Sequence, residues 1–470
     1  MTMKLGVQEE PAIYKVLLGL ANAVPLARVA EFNPRRHSVP PADADLVSFV
    51  PMRAVAEESG HIDSEARRPW SEVKKGYTAF QNGDVIFAKI TPCMENGKFA
   101  LAYALHNGRA AGSTEFHVFR SKPGLLPKYL FHFLFTPYVR RGAKMNMKGA
   151  AGQLRVPIQF FEGLRIPLPA PEEQQRVVDY LDEQLSRLDA SVAALHRVQA
   201  NLKRYRASVL KSACEGRLVP IEAELARQEG RDFETGAQLL QRASARRADR
   251  RVSPPETKGL LALPEAWALA SVDMVGDILL GRQRAPQYLT GESTHCYLRV
   301  ANIKDDRIDF DDLNKMDFDS SHFAKYQLEP GDILVSEGQS PELLGQSAIF
   351  RGCSKPLCFQ KTLHRFRAYA GLVTPEFAQL VFRSHLYSGV FRKFGSITTN
   401  IGHLTLNRFK AVWFPLPPLA EQHRIVAETD RRLSLIRVAE AQVAANLARA
   451  QRLRQSILQA AFRTPAQAGQ

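Results

Sequence analysis

Apolar residues fall on a three-then-four spacing at Val178, Leu181, Leu185, Leu188, Val192 and Leu195, and the stripe continues through Leu202 and Val209. The same spacing returns at Val426, Leu433, Ile436, Val443, Leu447, Ala450 and Ile457. Neither residues 172–213 nor residues 420–461 contain a single Gly or Pro. Each stretch therefore predicts one long helix of about 44 residues and roughly 65 Å, carrying a heptad seam. A helix with one apolar stripe needs a partner, and the other copy is the nearest one. An antiparallel pairing puts one globular domain at each end, whereas a parallel pairing crowds both at one end. Gln199, Arg206, Glu440 and Arg454 interrupt the seam, either to set its register or as solvated, snorkelling positions.

Outside these stretches the pattern shortens. Residues 46–50, 84–88 and 115–119 are β-like runs bounded by Gly, Pro and Asn turn signals, followed by an aromatic helical stretch over 127–140. The second half has the same layout: runs at 297–300, 332–335 and 363–366, then a helix from Pro375 to about Arg392. The spacing of Tyr129, Phe131, Phe133, Phe135 and Tyr138 is that of a packed helix, which favours core over base stacking.

The two halves are copies. Pro167-Leu168-Pro169 with Glu173-Gln174-x-Arg176-Val177-Val178 recurs as Pro415-Leu416-Pro417 with Glu421-Gln422-x-Arg424-Ile425-Val426. At the same offset Gly83-Asp84-Val85-Ile86 matches Gly331-Asp332-Ile333-Leu334, Pro127 matches Pro375, and Arg204 and Arg206 match Arg452 and Arg454. The expected fold class is α+β: two tandem mixed domains separated by two long helices forming an antiparallel coiled coil, with pseudo-two-fold symmetry. The expected segments are a leader (1–24), a first domain (25–170), a helix (171–216), a basic linker (217–263), a second domain (264–418), a helix (419–463) and a tail (464–470). The linker carries a charged helical piece over 220–228 and a basic run at Arg242, Arg246, Arg247, Arg250 and Arg251. A solvated linker face accounts for that run, as does contact with phosphate.

Composition narrows the partner. With 63 Lys and Arg against 48 Asp and Glu, the net charge is +15, which favours a polyanion such as nucleic acid. At 45% hydrophobic the chain has material for two cores, and no apolar run approaches the ~18–20 residues of a membrane helix. The N-terminus lacks a basic region followed by an apolar core, so no signal peptide is read and a cytoplasmic protein is expected. Five irregularly placed cysteines suit a reducing compartment. Cys353 and Cys358 with His364 sketch part of a zinc site, but a fourth ligand at sensible spacing is missing.

Catalytic signatures are missing. Asn96-Gly97-Lys98-Phe99 lacks the leading Gly and the hydroxyl residue of a phosphate loop, and Asn33-Pro34-Arg35-Arg36 lacks the second Pro and the aromatic of an adenine methylase. Asp332 with Glu337-x-Gln339 faintly echoes a nuclease carboxylate cluster, but Asp84 has no such follow-up, and a turn is the better reading. Glu173-Gln174 and Glu421-Gln422 lie in a first helical turn, where they suit the dipole and cap free amides. The paired arginines near the helix ends suit the negative end of the dipole, or serve a docked methylase or phosphate.

The doubled unit of Gly-Asp-[Val/Ile]-[Ile/Leu], a Pro-led helix, then Pro-Leu-Pro-x3-Glu-Gln-x-Arg-[Val/Ile]-Val opening a long helix resembles the DNA-specificity domain of Type I restriction-modification systems. The resemblance runs from about residue 25 to 463, and Leu263-Pro264-Glu265-Ala266-Trp267 looks like the family's usual domain opening. The first domain has Val24-Pro25-Leu26 instead. The resemblance implies a non-catalytic specificity subunit whose two target-recognition domains each read half of a bipartite, asymmetric site in double-stranded DNA. It also implies that the spacer docks two methyltransferase subunits, and that ATP-driven restriction and translocase subunits join them. S-adenosylmethionine, ATP and Mg then come with those partners, and this chain binds no cofactor, metal or membrane. A solitary DNA-binding regulator or anti-restriction decoy is the rival reading, and an enzyme with its own site is the other.

For the reading role, Lys and Arg supply phosphate contacts while planar or bidentate groups read base edges. The first domain offers Lys89 in its Lys89-Ile90-Thr91 loop, then Arg140, Arg141, Lys144, Lys148, Gln153 and Arg155. The second offers Arg282, Arg284, Arg299, Asn302, Gln339, Thr398, Thr399, Asn400 and His403. The loops just before each Pro-Leu-Pro carry the most weight. Leu181, Leu185, Leu188, Leu195, Leu202, Leu433, Ile436, Val443, Leu447 and Ile457 are the expected spacer and docking positions.

Overall fold

The computed structural model describes residues 23–34, 37–63, 66–150, 152–245, 262–398 and 401–462. Most of the expected leader, the tail, Arg246, Arg247, Arg250 and Arg251 of the basic run, and Thr399 and Asn400 lie outside the described residues. The chain divides into two compact units: residues up to His196 together with those from Ala444 onward, and Arg197–Val443. Each unit takes one globular domain and part of both long helices, Pro171–Cys214 and Leu419–Ala461.

In the first unit one four-stranded sheet has the order Ala30–Phe32, Phe116–Ser121, Asp84–Ala88, Phe99–Leu101, and a second has the order Ala66–Pro69, Leu46–Val50, Arg109–Gly112, Thr78–Gln81. The second unit repeats the first of these as Gly276–Leu280, Leu363–Ala368, Ile333–Ser336, Ser347–Ile349. The central strand Asp84–Ala88 is buried along its whole length and Ile333–Ser336 likewise, because both faces are covered. The expected runs at 46–50 and 84–88 are strands with those bounds, while the run expected at 297–300 is a strand over Thr294–Leu298.

The aromatic stretch expected as one helix is two, Pro127–Leu134 and Pro137–Met145. Pro137 has no N–H to continue the first helix and holds Thr136 extended (φ −63°, ψ 148°), where the Thr136 hydroxyl accepts from Val139 N–H and caps the second. Tyr129, Phe133 and Phe135 are core residues, whereas Tyr138 is exposed. The counterpart breaks too, into Pro375–Tyr387 and Val390–Phe394. In the linker the charged piece is a helix over Glu222–Glu229, and a further helix covers Gly236–Ala245.

The duplicated motifs make the same bonds in both copies. Gly83 (φ +87°) and Gly331 (φ +96°) take left-handed turns that feed buried Asp84 and Asp332 into their strands. Asp84 accepts from Arg120 Nε and Nη2 at 2.8 and 2.7 Å and from Gln81 N–H. Asp332 accepts from Arg367 Nε and Nη2 at 2.6 and 2.8 Å and from Glu329 N–H. Both carboxylates are fully used inside the domain, which removes Asp332 from any nuclease cluster.

The Glu-Gln dipeptides are structural, as expected, but it is their glutamines that fasten helix to domain, through backbone groups outside the helix. Gln174 donates to Gly124 O and Pro169 O and accepts from Leu126 N–H; Gln422 donates to Leu372 O and Pro417 O and accepts from Thr374 N–H. Every partner is a backbone group of the loop before the Pro-led helix or of the Pro-Leu-Pro turn. Glu421 accepts from Trp267 Nε1 at 2.9 Å and from Glu222 N–H, so the Trp opening of the second domain and the acid of the motif are one bond. The opening of the first domain lacks that Trp, and among the described residues the ion-pair partner of Glu173 is Arg176 on its own helix. Gln422→Ala removes hydrogen bonds to three backbone groups, two of them buried, and is expected to lower stability by about 1–3 kcal/mol, checked by urea unfolding.

Apolar packing joins the helices to each domain. In the first unit Val177, Val178, Leu181 and Leu185 share a core with Leu458, Ala461 and Phe462, and with Tyr129 and Phe133. In the second unit Val209, Leu210 and Ala213 share a core with Ile425, Leu433 and Ile436. Within each unit the start of one long helix meets the end of the other, so the paired segments run antiparallel. Of the expected seam, Leu181, Leu185, Leu188, Leu433, Ile436 and Val443 are buried, and Leu195, Leu202, Leu447 and Ile457 are half-buried. At the helix ends Val209 of the expected stripe is buried together with its neighbour Leu210, while in the second helix Leu458 is buried beside half-buried Ile457.

Candidate nucleic-acid interface

In the first unit, three loops meet at the end of the strand Asp84–Ala88. Lys89 N–H donates to Glu115 O, and Val156 N–H donates to Lys89 O at 2.8 Å. Thr91 exchanges bonds with Leu154, its N–H donating to Leu154 O and its hydroxyl accepting from Leu154 N–H. Lys148 and Arg155 pair backbone to backbone at 2.9 and 2.8 Å, which closes the loop carrying Gln153. Two expected segments far apart in sequence are thus one rim.

The second unit builds the same rim from the corresponding residues. Glu337 N–H donates to Thr362 O, and Leu404 N–H donates to Glu337 O at 2.7 Å. A three-stranded ribbon of Gly338–Gln339, Ile401–His403 and Ser396–Thr398 brings Gln339, Thr398 and His403 together. A buried histidine pins each loop from below: His117 Nε2 donates to Val156 O at 2.8 Å, and His364 Nε2 donates to Leu404 O at 2.7 Å. Burial lowers the pKa of His117 and pushes that of His364 down to about 4, so both rings stay neutral Nε2–H donors at neutral pH.

The polar side chains on these rims differ in freedom. Lys148 and Gln153 are exposed, Lys89 is half-buried, and Arg155 is held by Glu115 through Nε and Nη2 at 3.0 and 2.7 Å. The hydrogen bond from Arg155 is the main reason the Glu115 carboxyl lies below its ordinary range. Arg141 is exposed and has no ion-pair partner among the described residues, while Arg140 is committed to Glu58 (2.8 and 2.5 Å) and Lys144 to Glu95 (2.7 Å). Thr398 is exposed, Gln339 is half-buried, and His403 Nδ1 lies 3.5 Å from Glu337 Oε1.

Two expected residues are interior. Arg282 is buried, donates to Asp317 O at 2.6 Å and stacks on Tyr288; Asn302 is buried, accepts from Arg299 N–H and donates to Asp309 O and Asp312 O. Both spend their hydrogen bonds on the domain's own structure. Arg299 pairs with Asp312, and Arg284 is exposed. Sequence reasoning passed over Arg53, exposed and without an ion-pair partner among the described residues, on the turn Met52–Ala54 that follows the strand Leu46–Val50. Ser113 N–H donates to Val50 O just before that turn, and Lys89 N–H donates to Glu115 O two residues on, which brings the turn close to the segment that holds Lys89. Its offset from Lys89 gives no signal in one dimension. Among the described residues no three His, Cys, Asp or Glu side chains gather as a metal site, and Cys353 donates to Lys355 O instead.

Two of the four recurring helix arginines are cross-links. Arg206 bridges Glu440 on the second long helix (2.6 Å) and Asp305 of the second domain (3.2 Å), and Arg454 pairs with Asp189 on the first helix. Arg204 and Arg452 are exposed.

Residues 64–200 and 299–433, together more than half of the chain, match the family described as Type I restriction modification DNA specificity domain. The chain is 28% identical over 461 residues to the Type I restriction enzyme EcoAI specificity subunit of Escherichia coli, covering 86% of this chain and 76% of that one. It is 36% identical over 191 residues to the EcoEI specificity subunit of Escherichia coli, covering 38% of this chain and 32% of that one. A chain solved in work on complex assembly and conformational transition of the type I R-M system superposes with a TM-score of 0.63 at 21% identity, covering 94% of this chain and 97% of that one. With the doubled motif, the repeated bonds and two matched segments, this chain belongs to the Type I restriction-modification DNA specificity family and carries two copies of its domain.

Proposed function

We propose that the chain is the non-catalytic sequence-reading subunit of a Type I restriction-modification complex. Each domain reads one half of a bipartite, asymmetric site in double-stranded DNA, and the long helices dock two methyltransferase subunits. S-adenosylmethionine reaches the complex with the methylase, and ATP and Mg with ATP-driven restriction and translocase subunits. The cytoplasm is the compartment, in keeping with free cysteines throughout the described residues and with no helix there long and apolar enough to cross a membrane.

The observation that carries this reading is the pair of equivalent polar rims on two copies of one domain. A tandem copy presents two separately evolved reading surfaces, which is what an asymmetric site requires. Docking draws support from the outer helix faces, where Leu435 (60% exposed), Val438 (67%) and Leu453 (48%) put apolar side chains in water. The test is to co-express the chain with the methylase encoded nearest to its gene and map methylated adenines across the host DNA. One bipartite motif with a fixed gap is the expected result. Absence of methylation, with DNA still bound, supports a solitary DNA-binding protein.

A further inference from the structure

Lys89 and Glu337 occupy the same place in the two copies with opposite charge. Each directly follows its central strand, Asp84–Ala88 or Ile333–Ser336, and each has its backbone pinned on both sides. The N–H of each donates to the neighbouring strand's loop, to Glu115 O or Thr362 O, at 2.9 Å, and its carbonyl accepts from Val156 N–H or Leu404 N–H. The backbone is thus common and rigid, and the side chain is what differs. The next member of the rim is exchanged as well: Arg155 in the first copy stands where His403 stands in the second.

An ammonium only donates hydrogen bonds, and a carboxylate only accepts them. In the major groove guanine presents the acceptors N7 and O6, whereas cytosine presents its N4 amine as a donor. In the first copy Arg155 and Glu115 satisfy each other, which leaves Lys89 without an ion-pair partner among the described residues. In the second copy the ion-pair partner of Glu337 among the described residues is His403, at 3.5 Å, so its carboxylate keeps accepting capacity, and about one fifth of the side chain is exposed.

Resting on the reading proposed above, we infer that this position is a specificity-determining one of opposite sense in the two domains: Lys89 selects a guanine, and Glu337 selects a base offering an exocyclic amine, cytosine foremost. The rims then meet their half-sites with different physics. The first, with Lys89, Lys148 and Arg53, adds phosphate attraction, while the second, with Glu337, Gln339 and Thr398, relies on hydrogen bonds.

The test uses the full chain with its methylase, comparing the methylated motifs of the natural protein with those of Lys89→Glu, Glu337→Lys and Glu337→Gln. Glu337→Lys is expected to cut discrimination at one base pair by about ten- to hundredfold, in the second domain's half-site only. Lys89→Glu does the same in the other half-site, and Glu337→Gln, which keeps the shape of the side chain, relaxes its position without losing methylation. An unchanged motif for Glu337→Gln, or a uniform drop at every site with the motif intact, overturns the inference and leaves Glu337 as a positioning residue for His403. If the natural protein directs methylation to no bipartite motif, the underlying reading fails instead.

Discussion

Exchanging residues 25–166 for the matching domain of another specificity subunit is expected to replace one half of the recognised sequence and leave the other half untouched. The boundaries suit such an exchange. Strands Ala23–Pro25 and Arg165–Pro167 pair antiparallel, with Ala23 opposite Pro167 and Pro25 opposite Arg165, so the domain enters and leaves at one point. Gln174, which fastens the domain to the long helix, makes its described hydrogen bonds to backbone groups, Gly124 O, Pro169 O and Leu126 N–H, and backbone is what any replacement domain also supplies. Between these points lies a core with its own closely packed aromatics, such as Phe87 stacked on Phe99 at 3.9 Å and edge-on to Phe161 at 5.0 Å. Methylation maps of the chimera check the expectation, and a motif altered in both halves refutes modular reading.

Leu188→Pro should abolish assembly with the methylase. Leu188 is buried and lies far from either end of the helix Pro171–Cys214. Proline there removes a helical hydrogen bond and drives its ring into the preceding turn, at a cost of about 3 kcal/mol or more, and the lost leucine packing adds to it. Against the 5–15 kcal/mol that typically holds a domain together, that is a large fraction. Leu188→Ala separates the two causes, since it loses the packing and keeps the helix. Far-ultraviolet dichroism and the mass of the complex with methylase are the readouts. An intact complex from the proline variant would remove the helices from the docking role.

The patterns of one dimension were enough for the architecture wherever the physics is local or periodic. A heptad seam without Gly or Pro dictates a long helix, Gly before Asp dictates a left-handed turn into a strand, and repetition at a constant offset dictates two like domains. The break at Thr136-Pro137 was open to the same reasoning and was lost to the aromatic pattern running through it.

Pairings between distant residues needed the tertiary structure. Asp84 meets Arg120, Glu421 meets Trp267, and Arg140 meets Glu58 because the chain folds back on itself, and nothing in the spacing of these residues names the partner. The rims show the same division. Composition and motif pointed to basic and polar loops, but only burial removed Arg282 and Asn302, whose hydrogen bonds are spent inside, and only backbone pairing between distant segments brought the turn of Arg53 close to the segment that holds Lys89. A sequence states which groups can bond, by type and by period. Which of them remain free for a ligand depends on which are already satisfied within the fold, and that is a property of the folded chain.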